Sequence, residues 1–298
     1  MFKEIKIALI QQKIEDNLES NLKKTINNIK RSVKEGAQLI LLSELHQNLY
    51  FCQSINNKYF ELADSIPGNL TKVFSDLAKS LSVVIVISIF EKRLPGVFHN
   101  TAVVIEKDGS IAGKYRKMHI PYDEGYYEKY YFSPGDLGYS VINTSVGRLG
   151  LLICWDQWFP EAARLSALNG AEILLMPTAI GWEYQDSDDN KKVELDAWIT
   201  MQRSHAIANC IPVAVCNRVG FEGNPTDKNK GIDFWGSSFI SGANGQLLYQ
   251  ASTKEDEIYI QKIVLDNNGK LQQKWQWQFF RDRRIDSYSK ITKLTNQT

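Results

Sequence analysis

Three reactive side chains stand where apolar runs stop. Glu44 follows LILLS, Lys117 closes GKYRK, and Cys154 follows GLLI. Each has a plain structural alternative: a solvated strand end, a surface lysine and a core thiol, since free cysteine commonly behaves as a small buried hydrophobe. Together they form a reagent set. Thiolate, not thiol, is the nucleophile, and a nearby ammonium or helix N-terminus lowers its pKa. Pro160 marks such a helix start a few residues after Cys154. A carboxylate within reach takes the thiol proton and later passes it to a leaving amine. A lysine ammonium stabilises the oxyanion of a tetrahedral intermediate. Glu, Lys and Cys therefore suffice for acyl transfer without histidine.

Other chemistries lack their residues. Cys52, Cys154, Cys210 and Cys216 form no C-x-x-C pair, which argues against a disulfide framework. Cys210 and Cys216 read as core and Cys52 as a loop thiol. His46, His99, His119 and His205 show no metal spacing, so no metal is expected. Neither a Walker A loop nor a strand-linked G-x-G-x-x-G is present, so no cofactor is expected. A net charge of +1 gives no case for nucleic acid or an acidic membrane surface. No apolar run approaches the ~18 residues of a membrane span, and the N-terminus lacks a signal peptide's apolar stretch. The expectation is a soluble cytoplasmic protein.

The elements that must position these residues alternate. Residues 5–11 read as a strand, and 17–34 as a helix with Leu18, Leu22, Ile26, Ile29 and Val33 on one stripe. Strands over 37–42 and 83–90 flank a helix over 67–81, and hairpins follow at 101–117 and 141–154. Helices over 160–169 and 194–210 then alternate with strands over 172–177 and 212–217, and 235–248 and 257–266 complete the sheets. No linker divides the chain, so residues 1–298 read as one α/β domain of two sheets covered by helices. Residues 270–298 form an aromatic and basic tail, costly to leave in water, expected to pack on the body or on a neighbouring subunit.

The blocks AQLILLSE, GKYRKMHIP and GRLGLLICWDQWFPEAARLSALNGAEILLMPTA resemble the three motifs of the nitrilase, or carbon-nitrogen hydrolase, superfamily, and the similarity runs from Ile5 to about Ser287. The resemblance implies a four-layer αββα sandwich of two mixed sheets, and a catalytic triad of Glu44, Lys117 and Cys154. It also implies a second glutamate, Glu128 in GYYEKYYFSPGD. Ser43 stands where the family often has proline. HIPYDEGYYEKYYFSPGD, CWDQWFPEAARL, PTAIGWE, RSHAIAN, NRVGFE and FWGSSFIS are most similar to the branch that hydrolyses N-carbamoylputrescine to putrescine, CO2 and ammonia.

The residue types give a separate check. An enzyme cutting an N-carbamoyl amino acid must hold a carboxylate, best done by a bidentate arginine. Here Cys154 is followed by Trp155, Asp156, Gln157 and Trp158, and further on stand Trp182, Glu183 and the acidic stretch 186–189. Aromatics and carboxylates suit a protonated amine on a methylene chain. Trp155, Asp156, Trp158, Trp182 and Glu183 are therefore the expected substrate-binding residues; packing is the alternative for Trp155 and Trp158, and a solvated loop for most of 186–189. The expected partner is a small ureido or amide substrate with a cationic tail, and the protein itself is expected to be a homo-oligomer of at least two subunits. The alternatives are a ureidopropionase-like enzyme or general ω-amidase, a glutaminase domain feeding a synthetase, and a catalytically silent assembly scaffold.

Overall fold

The computed structural model describes residues 3–227, 229–266, 274 and 276–295. Fifteen strands are present among them: β1 (Lys3–Gln11), β2 (Leu39–Leu42), β3 (Val84–Leu94), β4 (Val97–Ile105), β5 (Ile111–Arg116), β6 (Val141–Thr144), β7 (Gly147–Leu151), β8 (Ile173–Thr178), β9 (Gly181–Glu183), β10 (Val213–Asn217), β11 (Val219–Gly223), β12 (Gly231–Trp235), β13 (Phe239–Ser241), β14 (Leu247–Gln250) and β15 (Glu257–Leu265). The helices are α1 (Leu18–Lys34), α2 (Asn69–Leu81), the short α3 (Glu128–Tyr131), α4 (Pro160–Leu168) and α5 (Asp188–Asn209).

Two six-stranded sheets carry the fold, ordered β15-β1-β2-β3-β4-β5 and β14-β13-β10-β8-β7-β6. Each has three parallel strands at its centre (β1, β2 and β3; β7, β8 and β10) and antiparallel strands outside them. Parallel central strands are covered on both faces, so their sequences run apolar without a break. In β1, Ile5, Ile7 and Leu9 pack into the core shared by the two sheets. Ala8 and Ile10, on the other face, pack with Ile29 of α1 and Phe74 of α2. On the far side of the second sheet, Ala162 of α4 and Trp198 and Ala206 of α5 join the core. The result is the expected four-layer αββα sandwich.

Helix ends follow local chemistry. The Asn17 side chain accepts the Ser20 N–H at 2.9 Å to cap α1, and Pro160 opens α4. The spacing predicts a helix over 194–210, but α5 starts earlier, at Asp188. The Ser187 hydroxyl caps it at 3.2 Å, and Asp188 and Asp189 suit its positive first turn. The expected strand over 235–248 is broken by Gly236 and Ser237 at positive φ. The chain then leaves β12, in a third sheet of order β11-β12-β9, for β13 in the second large sheet.

Of the tail, Phe280 packs against the main core beneath the Arg164 guanidinium, while Phe279, Ile285, Ile291 and Leu294 are exposed in the single chain. Residues 270–273, 275 and 296–298 of the expected tail lie outside the described residues. No helix among the described residues is long and apolar enough to cross a membrane.

Candidate active site

The site forms where strands of both sheets end. After β2, Glu44 is fully buried, and Leu45 takes a left-handed conformation (φ 47°). The Glu44 backbone N–H donates to Thr178 O at 3.2 Å, which ties the end of β2 to the end of β8 in the facing sheet. After β5, the Lys117 backbone N–H donates to Asn100 O at 2.9 Å. Its buried ammonium donates to Glu44 Oε1 at 2.9 Å and to Glu128 Oε2 and Oε1 at 2.7 and 2.9 Å. Glu128, the first residue of α3, also accepts the Tyr50 hydroxyl at 2.6 Å. Asn100 Nδ2 donates to Glu44 Oε1 at 2.6 Å. Glu44 Oε2 is buried with no hydrogen-bond partner among the described residues.

Cys154 arrives from the second sheet. Leu152 N–H still bonds Leu175 O at 3.1 Å, after which Cys154 takes φ 43° and opens a 3₁₀ turn ahead of α4. Such a conformation costs a non-glycine residue about 1–3 kcal/mol and clusters at functional sites. The thiol, 6% exposed, faces a cavity and donates to Ala179 O at 3.6 Å.

Electrostatics correct one expectation. Burial pushes the Cys154 thiol well above its usual value, the Glu44 charge adds to this, and Lys117 only partly opposes it. These surroundings run against the expected lowering of the thiol pKa. Burial pushes Lys117 down, but Glu128 and Glu44 outweigh it and raise it well above its usual value. Burial likewise pushes Glu128 up to about 7, against the pull of Lys117. A thiol near a carboxylate and a lysine held in place by two carboxylates suits base-assisted attack on a carbonyl.

The cavity beside Cys154 measures about 630 Å³. Tyr126, Trp155, Trp158 and Trp235 form aromatic walls, and the carboxylate residues Asp123, Glu124, Glu183, Asp186 and Glu194 line the remainder. Among the described residues no Lys, Arg or His lines it. None of their His, Cys, Asp and Glu side chains form a group of three placed to hold a metal.

Trp155, Trp158 and Glu183 thus lie where the sequence predicts, at the cavity. Asp156 and Trp182 do not. Asp156 is fully buried, accepting Tyr115 OH and Ile153 N–H at 2.8 and 3.0 Å on one oxygen, and His119 N–H at 2.9 Å with ring Nδ1 at 2.8 Å on the other. Those contacts leave it no room for a ligand. Trp182 follows the alternation of β9: Gly181 and Glu183 face the cavity, and the indole between them turns away. It packs on Trp235 at 5.4 Å and donates to Lys191 O at 2.9 Å. A Cβ on Gly181 would meet Asp233 O at 2.4 Å, so only glycine permits this close pairing with β12.

Sequence reasoning misses Tyr50, Asn100, Tyr126 and Glu194. Asn100 carries a faint signal as a polar residue in an apolar strand. Glu194 carries a better one: with Asn190, Val193 and Ala197 it marks a single face of α5.

A family model described as carbon-nitrogen hydrolase matches residues 6–273. The chain belongs to the carbon-nitrogen hydrolase family. It is accordingly an amidohydrolase acting on a non-peptide C–N bond. N-carbamoylputrescine amidase of Solanum lycopersicum is 40% identical over 97% of this chain and 95% of its own. A citrullinase of Francisella tularensis subsp. tularensis is 42% identical over 97% and 98%. The crystal structure of a carbon-nitrogen hydrolase from Helicobacter pylori G27 superposes with a TM-score of 0.93, at 48% identity over 98% of this chain and 99% of that one.

Proposed function

We propose that this carbon-nitrogen hydrolase converts N-carbamoylputrescine and water to putrescine, CO2 and ammonia, a step of polyamine synthesis, with Glu44, Lys117, Glu128 and Cys154 as its catalytic residues. Glu44 takes the Cys154 proton as sulfur attacks the ureido carbon. The Lys117 ammonium, held between Glu44 and Glu128, stabilises the oxyanion. Collapse expels putrescine, which leaves with the proton from Glu44, and an S-carbamoyl enzyme remains. Water, deprotonated by Glu44, attacks that carbon and displaces the thiolate, which regains its proton. The released carbamic acid breaks down to CO2 and ammonia.

The observation that carries the substrate is the charge of the cavity: five carboxylate residues line it, with no basic lining residue among those described. The putrescine end of the substrate is an ammonium on a methylene chain, matched by the mutually interacting Glu183, Asp186 and Glu194 and by the aromatic walls. Relatives named N-carbamoylputrescine amidase, 38–40% identical over nearly the whole chain, support the same reading. Citrulline, suggested by the Francisella relative, carries an ammonium but also a carboxylate, which would enter this cavity unpaired. N-carbamoyl-β-alanine carries a carboxylate alone.

Ammonia release from these three substrates tests the proposal. The expected order of kcat/KM is N-carbamoylputrescine, then citrulline, then N-carbamoyl-β-alanine. A preference for either carboxylate-bearing substrate overturns it.

A further inference from the structure

Outside the four catalytic side chains lies a buried ion pair that the chemistry above does not use. Arg218, between β10 and β11, and Glu222, within β11, are 0% and 3% exposed. Their side chains meet at 2.8 Å, Arg218 Nη1 to Glu222 Oε1. Arg218 Nη2 donates to the backbone carbonyls of Glu44 and Leu45 at 2.8 and 3.0 Å, and Nη1 also reaches Asn48 O at 3.2 Å. Glu222 Oε2 accepts the Tyr50 backbone N–H at 2.6 Å. The Tyr50 hydroxyl in turn holds Glu128, Glu128 holds Lys117, and Lys117 holds Glu44. The bonds close a ring that begins and ends on Glu44, once through its backbone and once through its carboxylate.

A buried pair is a poor device for stability, because desolvation offsets much of the attraction. An apolar pair would fill the same volume. What it could not do is hold the carbonyls of Glu44, Leu45 and Asn48 around the left-handed step at Leu45, directly after Glu44. Arg218 is further fixed against the Phe234 and Tyr50 rings at 5.1 and 5.7 Å, so its fork has little freedom. Its planar fork suits several acceptors at once, unlike a lysine ammonium.

We propose that Arg218 and Glu222 are positioning residues that set the placement of the Glu44 carboxylate and, through Tyr50, of Glu128. This rests on the reading of Glu44 as the general base. A displacement near 1 Å at such a group costs about 10²-fold in rate.

The test compares Arg218→Lys and Glu222→Asp with Ile105→Val, a core change at the end of β4 away from Asn100, chosen to lower Tm without approaching the site. Glu44→Gln is measured beside them, with ammonia release on the best ureido substrate. The expected result is a kcat loss of about 10²-fold in Arg218→Lys with KM changed by less than about threefold. Glu222→Asp is expected to give a smaller loss of kcat at a Tm close to the parent's, while Ile105→Val loses Tm and keeps kcat. Should Arg218→Lys fail to fold, Glu222→Asp decides alone. Parental kcat in the folded Arg218 and Glu222 variants, or a kcat loss in Ile105→Val matched to its Tm loss, overturns the positioning role. Parental kcat in Glu44→Gln overturns the base assignment instead.

Discussion

Asp156 Oδ2 accepts the Ile153 backbone N–H at 3.0 Å, one residue before the thiol. The opposite oxygen takes the His119 N–H, two residues after Lys117. One buried carboxylate thereby fixes the Cys154 turn of one sheet against the Lys117 segment of the other. Asp156→Asn presents an amide N–H to one of these donors. The expected outcome is a stability loss of about 1–3 kcal/mol for the unsatisfied buried group. A kcat loss larger than the KM change should accompany it. Urea unfolding and steady-state kinetics check both, and parental kcat would show that the turn holds its shape without this carboxylate.

Glu128 gives a pH dependence of definite sign. Its folded value is raised by burial to about 7 from an ordinary 4.5, so over that window the native state keeps a proton that the unfolded chain has lost. Its contribution to stability is therefore present below about 4.5 and lost as pH rises to about 7. His46 contributes the reverse: burial and the Arg218 charge lower it to about 3, so stability is lost as pH falls below 6.5. The two slopes overlap, and the difference between parent and Glu128→Gln isolates the first. Unfolding free energies across the window should show the variant gaining on the parent as pH rises. A difference independent of pH would mean that Glu128 ionises normally. The same variant should lose turnover severely, since Lys117 then keeps one anionic partner.

The sequence made the sandwich legible because parallel strands buried on both faces leave unbroken apolar runs, and Glu44 and Cys154 each follow one; Lys117 follows the antiparallel, half-polar β5, and Glu128 was marked only by the resemblance. It misjudged Trp182 and Asp156 for reasons of direction. A three-residue strand such as β9 has too little pattern to show which side faces the cavity. Asp156 has a composition that suits a ligand, and only the fold brings Tyr115 and His119 against it. The ring through Arg218 was hidden because its members lie far apart in sequence and meet through backbone atoms, which carry no sequence signature.

The exposed apolar tail predicts association. Ile285, Ile291 and Leu294 expose 70%, 63% and 105% of their reference area in the single chain, which a partner subunit would cover. Light scattering at micromolar protein should give at least a dimer. Removal of the residues after Asp282 should lower the mass or the dissociation midpoint. A monomer mass for the intact chain refutes the association.

Glu194 tests the charge logic of the cavity most directly. Burial raises its pKa, and the Asp186 and Glu183 charges add to the shift, so proton and cation compete for the same cluster. A substrate ammonium placed there relieves the repulsion and favours the ionised form. As pH falls through that raised carboxylate range, kcat/KM for N-carbamoylputrescine should decline through KM while kcat holds. Glu194→Gln should flatten this limb. The side chain borders solvent, so screening limits its effect to about 3- to 10-fold in KM. Glu183→Gln combined with it should lose more than either alone, because the remaining carboxylate no longer has a like-charged neighbour to share the ammonium with. A neutral ureido substrate of the same length, such as N-pentylurea, serves as the control, and neither variant should weaken its binding. Equal losses on charged and uncharged substrates would locate the effect in cavity shape instead of charge, and the ammonium would then have to be held elsewhere on the wall.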